Sequence, residues 1–254
     1  MKTEAVSAPD WHDAARYAPL LGADRSMFAW EWLRRDPAYR AAARACAMAP
    51  AEGVEDATQF GLLTFEPAEL AVPAARPLWH AEAHPYVLGA RSDPSRSHGD
   101  EIDLGRFAGL VRLAEHGGAG HLLLSDGFRS IRIDAPPGTF ANGPVFLAYI
   151  IGGVASAEPR LLTLRRFLAL CRTERFSRAL HAPEPRARRW IMMIRAADAL
   201  AAGAGQREIA EVLLSRSVGE PRWRGREPSI RSQAQRLVRS ARLMAAGGYR
   251  SLLG

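Results

Sequence analysis

The last helix that the sequence predicts has one apolar face and a second face without acidic side chains. Apolar residues recur there at helical spacings of 4, 3, 4 and 3, at Ile230, Ala234, Leu237, Ala241 and Met244. From Ser229 onward there is no Asp or Glu, whereas arginine, glutamine and serine fall away from the apolar face. Arginines three or four residues apart repel one another on an isolated helix. A helix of this kind therefore packs on a core with one side and suits an anionic partner on the other.

The positive charge of the chain is concentrated in its last quarter. The formal net charge is +7, and the segment from Arg186 to Arg250 alone carries fourteen arginines against five acidic residues, a net of +9. The remainder is therefore slightly acidic, at −2. Lys2 is the only lysine, and a GC-rich genome could explain that preference for arginine, but not its position along the chain. A basic segment favours nucleic acid, an anionic membrane surface or an acidic protein as partner.

The pattern of hydrophobic and turn residues divides the 254-residue chain into three regions. We predict an N-terminal helical domain at 1–55, a central α+β region at 56–182 and a C-terminal helical domain at 183–254. The predicted fold class is mainly α with a small antiparallel β region. Its C-terminal domain is predicted to contain three helices in a helix-turn-helix-like arrangement.

Individual elements follow from capping and periodicity. Asp24 is predicted to cap a helix through Arg35, and Asp36-Pro37 to start another. The predicted strands are 60–65, 86–90, 120–126 and 128–134, with a hairpin at Asp126-Gly127. Further helices are predicted at 104–116, 159–176, 186–202, 206–214 and from about 229 to Gly247-Gly248. The face of the 159–176 helix that should be buried carries Leu161, Leu164, Leu168 and Cys171.

The residue types on the last helix are those that recognise DNA. Arginine can donate two hydrogen bonds to guanine and glutamine can pair with adenine, while serine allows close approach. We predict base contacts from Arg231, Ser232, Gln235 and Arg236. We predict phosphate contacts from Arg207, Arg222, Arg224, Arg226, Arg239 and Arg242. The join of about thirteen residues before this helix is longer than in a plain helix-turn-helix, so the docking geometry stays open.

Patterns typical of enzymes and metal sites are weak. The two histidines of "HAEAH" (80–84) do not fit a zinc helix, because Glu82 is misplaced and Pro85 follows. Neither Cys46 nor Cys171 belongs to a zinc or disulfide spacing, which predicts two buried thiols. We therefore predict no enzyme activity, no cofactor and no metal. The N-terminus has no apolar signal region, and the run Val145–Ala157 is too short to span a bilayer, so a cytoplasmic protein without membrane contact is expected.

Both ends of the chain resemble one family. The stretch "RSMFAWEWLRRDPAYR" (25–40) resembles the N-terminal motif of proteobacterial transcriptional-regulator-like proteins. The stretches "GQREIAEVLL" (205–214) and "SIRSQAQRLVRSARLMAAGGYRSLL" (229–253) are similar to the C-terminal domain of that family, as in RovC-type activators of type VI secretion genes. The resemblance implies a transcription factor that binds DNA through its C-terminal helices.

These observations predict a sequence-specific regulator of transcription that binds double-stranded DNA, and the resemblance to RovC-type activators implies activation. An architectural or RNA-binding protein and a basic protein-interaction adaptor are the alternatives. A homo-oligomer held by residues 1–182 is also expected, because Trp30 lies off the apolar face of its helix and is free for a domain or subunit contact. RNA polymerase is a possible further partner.

Overall fold

The N-terminal helices begin where the sequence predicts. The computed structural model describes residues 10–48, 57–93, 99–141, 143–214 and 227–254. A 3-10 helix, Ala14–Gly22, precedes α1 (Arg25–Leu33) and α2 (Pro37–Met48). The carboxylate of Asp24 accepts a hydrogen bond from the Met27 backbone N–H at 3.0 Å, and that of Asp36 accepts one from the Ala38 N–H at 2.9 Å. Both predicted helix starts are confirmed.

The central region contains a five-stranded sheet with the order β2-β3-β4-β1-β5. Its strands are β1 (Val87–Ser92), β2 (Val111–His116), β3 (Ala119–Ser125), β4 (Ser130–Ala135) and β5 (Leu147–Ile150). The strands β2, β3 and β4 form an antiparallel meander, and β1 pairs antiparallel with β5. However, β1 and β4 run parallel, so the prediction of an antiparallel sheet is wrong: the sheet is mixed. After β1 the chain crosses to the opposite edge of the sheet, where β2 lies. The meander then returns toward β1, and its last strand, β4, runs parallel to β1.

The predicted helix at 104–116 is also wrong. A short 3-10 helix, Leu104–Phe107, is followed directly by β2. Gly117 and Gly118, with φ of +57° and +74°, form the tight turn that leads from β2 into β3. Two successive residues with positive φ are the requirement of a type I′ hairpin turn. The Gly-Gly dipeptide next to an alternating segment was therefore the signal for a hairpin.

The predicted strand at 60–65 is a loop. A 3-10 turn, Ala57–Phe60, ends in Gly61, and only Leu62 forms a bridge, to Trp79. Leu62 and Leu63 are both buried although they are adjacent in sequence. In a strand with one exposed face, buried and exposed side chains alternate. Because two adjacent side chains are buried here, the segment is covered by protein on both sides.

The helix α3 (Ala157–Thr173) packs on the sheet with a face that agrees only in part with the predicted one. Leu164 and Cys171 of the predicted face lie half-buried against the sheet. Thr163, Phe167 and Leu170 are buried, whereas the predicted core residues Leu161 and Leu168 are 47% and 41% exposed. Phe167 and Leu170 join the sheet residues in a second hydrophobic core. The run 145–157, which is too short to span a bilayer, contains β5 followed by a bend.

The first hydrophobic core contains both ends of the chain. It unites buried side chains between positions 11 and 79 with others between 187 and 253. The C-terminal part consists of α4 (Ala187–Ala201), α5 (Gln206–Leu213), α6 (Glu227–Ala245) and a 3-10 helix, Gly248–Leu252. Among the helices of the described ranges, none is long and apolar enough to cross a membrane.

Candidate nucleic-acid interface

The three C-terminal helices pack against one another. The first of them, α4, ends as predicted at Gly203, where the Ala204 N–H donates to the Ala199 carbonyl at 2.9 Å. That bond closes the helix end and turns the chain within four residues into α5. Ile209 and Leu213 of α5 are buried, and α6 lies against both preceding helices. The result is a compact three-helix unit in which one side of α6 is covered.

The apolar seam predicted for α6 is confirmed. Ala234, Ala241 and Met244 are at most 8% exposed, and Val238 between them is 2% exposed. Ile230 and Leu237 are half-buried at the edge of the same face. These residues fix how the helix is rotated about its axis, because they commit one side to the core.

The opposite side of α6 carries the predicted DNA-contacting side chains. Ser232 is half-buried, and the others are exposed, namely Arg231, Gln235, Arg236, Arg239 and Arg242. Within the part of the chain that the structure describes, these four arginines form neither an ion pair nor a side-chain hydrogen bond. A cationic surface without acidic neighbours attracts polyanions most strongly, because no internal pair competes for the guanidinium groups.

The other predicted phosphate contacts have different surroundings. Arg207 on α5 is exposed, but its Nε lies 2.9 Å from Glu211 Oε1, one helical turn away. Arg222, Arg224 and Arg226 lie outside the described residues. At the start of α4, Arg186, Arg188 and Arg189 are also exposed and add positive charge that was not predicted to contact DNA.

The basic segment contains one buried acidic residue on α4, Asp198, whose carboxylate points into the core. Its carboxylate accepts hydrogen bonds from Arg35 Nε and Nη2, at 2.8 and 3.0 Å, and from the Tyr17 hydroxyl at 2.7 Å. Arg35 also donates to Glu31, one turn earlier in α1. Burial disfavours the charge of Arg35, but Glu31 and Asp198 outweigh that effect and raise its pKa. The exposed arginines of the C-terminal helices are therefore not paired with this acid, since Arg35, two residues after the end of α1, neutralises it.

The N-terminal motif also packs against the first helix of the three-helix unit. Phe28 packs edge-on against Trp190 of α4, with ring centroids 5.0 Å apart. Trp30 is fully buried and its Nε1 donates to the Leu70 carbonyl at 2.9 Å, so it contacts the predicted central region and is not available for a subunit contact. An apolar face could not identify the buried side of α1, because every residue from 26 to 33 is buried and the helix is surrounded by protein on all sides. No local pattern could reveal the pair of Arg35 and Asp198, which are 163 positions apart.

The "HAEAH" histidines do not come together as a metal site. His84 Nδ1 lies 2.8 Å from the Leu253 carbonyl, and His80 Nδ1 lies 3.3 Å from the backbone N–H of Glu82. In the described ranges there is no group of three or more metal-ligating side chains.

Comparison with known families matches both ends of the chain. The model of a proteobacterial transcriptional regulator-like domain matches residues 10–62, and that of the RovC T6SS transcription factor DNA-binding domain matches residues 152–254. The second match includes α3 as well as the three-helix unit. No curated protein and no solved structure matches the chain. The resemblance is confirmed: the two ends of the chain are similar to these two domains, and together the matches indicate a DNA-binding transcriptional regulator.

Proposed function

We propose that the protein is an activator that binds specific double-stranded DNA sequences by placing the N-terminal half of α6 in the major groove. The observation that carries this proposal is the side of α6 opposite its apolar seam, where exposed arginines have no acidic partner among the described residues. The activating sign rests on the similarity to RovC-type activators alone.

The arrangement supports a helix-turn-helix-like mode of binding. In such units the second and third helices pack together, and the third presents its first turns to the base edges. Here α5 packs on α6, and Arg231, Gln235 and Arg236 are exposed in the first half of α6. Arginine and glutamine can form paired hydrogen bonds with guanine and adenine, respectively. Ser232 is half-buried, which suits a shorter contact at the edge of the groove.

Other arginines contact the phosphate backbone of the DNA and so position the protein on the duplex. Arg239 and Arg242 continue the exposed face toward the end of α6, and Arg207 adds a contact from α5 once it leaves Glu211. Contacts of this kind hold a protein on the duplex but do not distinguish sequences. The segment with Arg222, Arg224 and Arg226 would add phosphate contacts between the two helices.

A homo-oligomer remains part of the proposal, on a different basis from Trp30. One small helical unit reads few base pairs, and linked copies increase effective concentration without new contacts per copy. Light scattering of the full chain tests the oligomer, and a multimer at micromolar concentration is expected. A full chain that is monomeric on promoter DNA at that concentration contradicts it. In that case the N-terminal region is better assigned to contact with RNA polymerase.

The experiment that tests the function is a selection of genomic fragments with the purified full chain at physiological salt. We expect strong enrichment of a few promoter fragments that share one sequence pattern. Binding with little preference among fragments would instead indicate an architectural or RNA-binding protein. Absence of binding even at low salt would indicate an adaptor for an acidic protein.

A further inference from the structure

A polar cavity lies where the N-terminal, central and C-terminal parts of the chain meet. It has a volume of about 190 Å³ and is lined by charged and polar side chains from several elements, among them Arg25, His84, Tyr86, Ser130, Arg132 and Arg166. Residues 182 and 184, ahead of α4, and residues 252 and 254, after α6, complete its wall. The cavity is thus separate from the exposed face of α6, but it borders the segments that enter and leave the three-helix unit.

Arg166 on α3 is the arginine of this cavity that forms no ion pair within the described residues. Its Nε donates to the Leu180 carbonyl at 2.9 Å, and its guanidinium lies 5.9 Å from the centre of the Tyr86 ring. Its two terminal nitrogens donate to no residue in the described part of the chain. Burial lowers the pKa of Arg166, although the charge of Asp24, which also lines the cavity, acts in the opposite direction.

The neighbouring charges are already paired. Arg25 Nε lies 2.8 Å from Glu184, and Arg132 Nε lies 2.8 Å from Asp134. Asp24 accepts bonds from the Ser26 hydroxyl and from the backbone N–H groups of residues 27 and 130. A ligand entering the cavity therefore meets Arg166 as its available charge partner.

The size of the cavity restricts the ligand. Sites for drug-sized molecules have volumes of about 300–1,000 Å³, so this one suits a smaller group. A planar guanidinium binds carboxylate and phosphate oxygens through two parallel hydrogen bonds. We propose that this cavity is a binding site for a small oxyanion, either a short-chain carboxylate or a phosphate, held by the terminal nitrogens of Arg166.

The first test follows thermal unfolding of the full chain with increasing inorganic phosphate, acetate or succinate, with sodium chloride at equal ionic strength as reference. A bound ligand raises the melting temperature in a saturable way. We expect such a rise with phosphate, with the carboxylates or with both, which also identifies the oxyanion. No rise beyond that of sodium chloride up to about 10 mM overturns the proposal.

Variants then locate the site. Arg166→Gln should weaken the apparent affinity by about tenfold or more, because the charged pair is lost. Arg165→Gln, at the adjacent exposed arginine of α3, is the matched control and should leave the affinity unchanged. The double change Arg231→Ala and Arg236→Ala should also leave it unchanged, which separates this cavity from the DNA-binding face. Equal affinity in Arg166→Gln and the unaltered protein overturns the proposal.

A second measurement requires no substitution and remains decisive if Arg166→Gln does not fold. The full chain is treated with phenylglyoxal, which modifies arginine, and the modified peptides are identified by mass spectrometry. The saturating oxyanion should protect Arg166 and leave the modification of Arg165 unchanged. Equal modification of Arg166 with and without the oxyanion contradicts the proposed site.

Discussion

Asp198 and Arg35 connect the DNA-binding unit to the N-terminal motif through a single buried ion pair. Their side chains are 6% and 16% exposed, so the pair lies largely outside the reach of solvent screening. The hydroxyl of Tyr17 satisfies a further lone pair of the carboxylate. Breaking a buried pair from one side is costly, because the remaining charge keeps its desolvation penalty without its partner.

We expect Asp198→Ala to lower the free energy of unfolding by about 3 kcal/mol, because Arg35 then has only Glu31 as an ionic partner among the described residues and the Tyr17 hydroxyl loses its acceptor. Urea denaturation measures the loss. Glu211→Ala is the matched control, because it removes an exposed partner of Arg207 and should cost only about 0.5 kcal/mol. A similar cost for both changes would show that the buried pair does not connect the two regions.

His181 makes the stability of the folded protein depend on pH. Burial and the nearby Arg166 lower its pKa to about 4, although its Nδ1 hydrogen bond with the Ser177 carbonyl and the charge of Asp24 act in the opposite direction. The folded state therefore favours the neutral ring, while the unfolded chain takes up a proton near its ordinary pKa of about 6.5. This contribution to stability is complete above pH 6.5 and is lost as the pH falls toward 4.

Accordingly, the free energy of unfolding should fall between pH 7 and pH 5, with about 2 kcal/mol of the loss due to His181. Urea denaturation of the protein and of His181→Gln at both values measures this share. We expect a clearly shallower decline in the variant. The same decline in both proteins would assign the acid sensitivity to another group, such as His84, whose pKa is lowered as well.

At the level of elements, predictability depended on whether the decisive interaction was local. The starts of α1 and α2 and the end of α4 follow from capping residues within a few positions, and the sequence predicted them. The apolar seam of α6 is equally local. The parallel pairing of β1 with β4 and the enclosure of α1 depend on distant segments, and both were missed. The hairpin between β2 and β3 had a local Gly-Gly signal that was overlooked.

The turn between β3 and β4 provides a test of the packing between elements. Gly127 has a φ of +88°, and a Cβ added there would lie 1.9 Å from the carbonyl oxygen of Pro73. Gly118 also has a positive φ, at +74°, but nothing lies within 4 Å of a Cβ added to it. Both alanine substitutions strain the backbone, and only the first one forces two segments apart.

Gly127→Ala should therefore lower the free energy of unfolding by at least about 2 kcal/mol more than Gly118→Ala. Chemical denaturation of the two variants gives the difference directly. If both substitutions cost the same, the turn does not pack against the segment around Pro73.

For the whole molecule, one hydrophobic core includes both terminal regions, so the DNA-binding unit rests on the rest of the chain. The predicted boundaries at 55/56 and 182/183 remain predictions, and the full chain is the appropriate object for binding measurements. The basic excess is likewise a property of the whole chain, because the net charge of +9 between Arg186 and Arg250 is only partly offset by the −2 of the remainder.

Affinity of the full chain for its promoter should fall steeply with salt. Each neutralised phosphate contributes about −0.9 to the slope of log K against log salt, so about six contacts give a slope near −5. Arg239→Ala with Arg242→Ala should reduce the magnitude of that slope by about 2 and weaken all sequences alike. A flat salt response would contradict binding to the phosphate backbone.

The central claim is that the N-terminal half of α6 reads DNA sequence. Its most direct test is the promoter affinity of full chains carrying Arg231→Ala, Arg236→Ala or both, compared with Arg165→Ala and Arg172→Ala on the exposed side of α3. Each α6 change should cost about 1–3 kcal/mol on the specific site and relax the preference at one base position. The α3 changes should leave the preference intact. Unchanged affinity and unchanged base preference in the α6 double variant would contradict the claim.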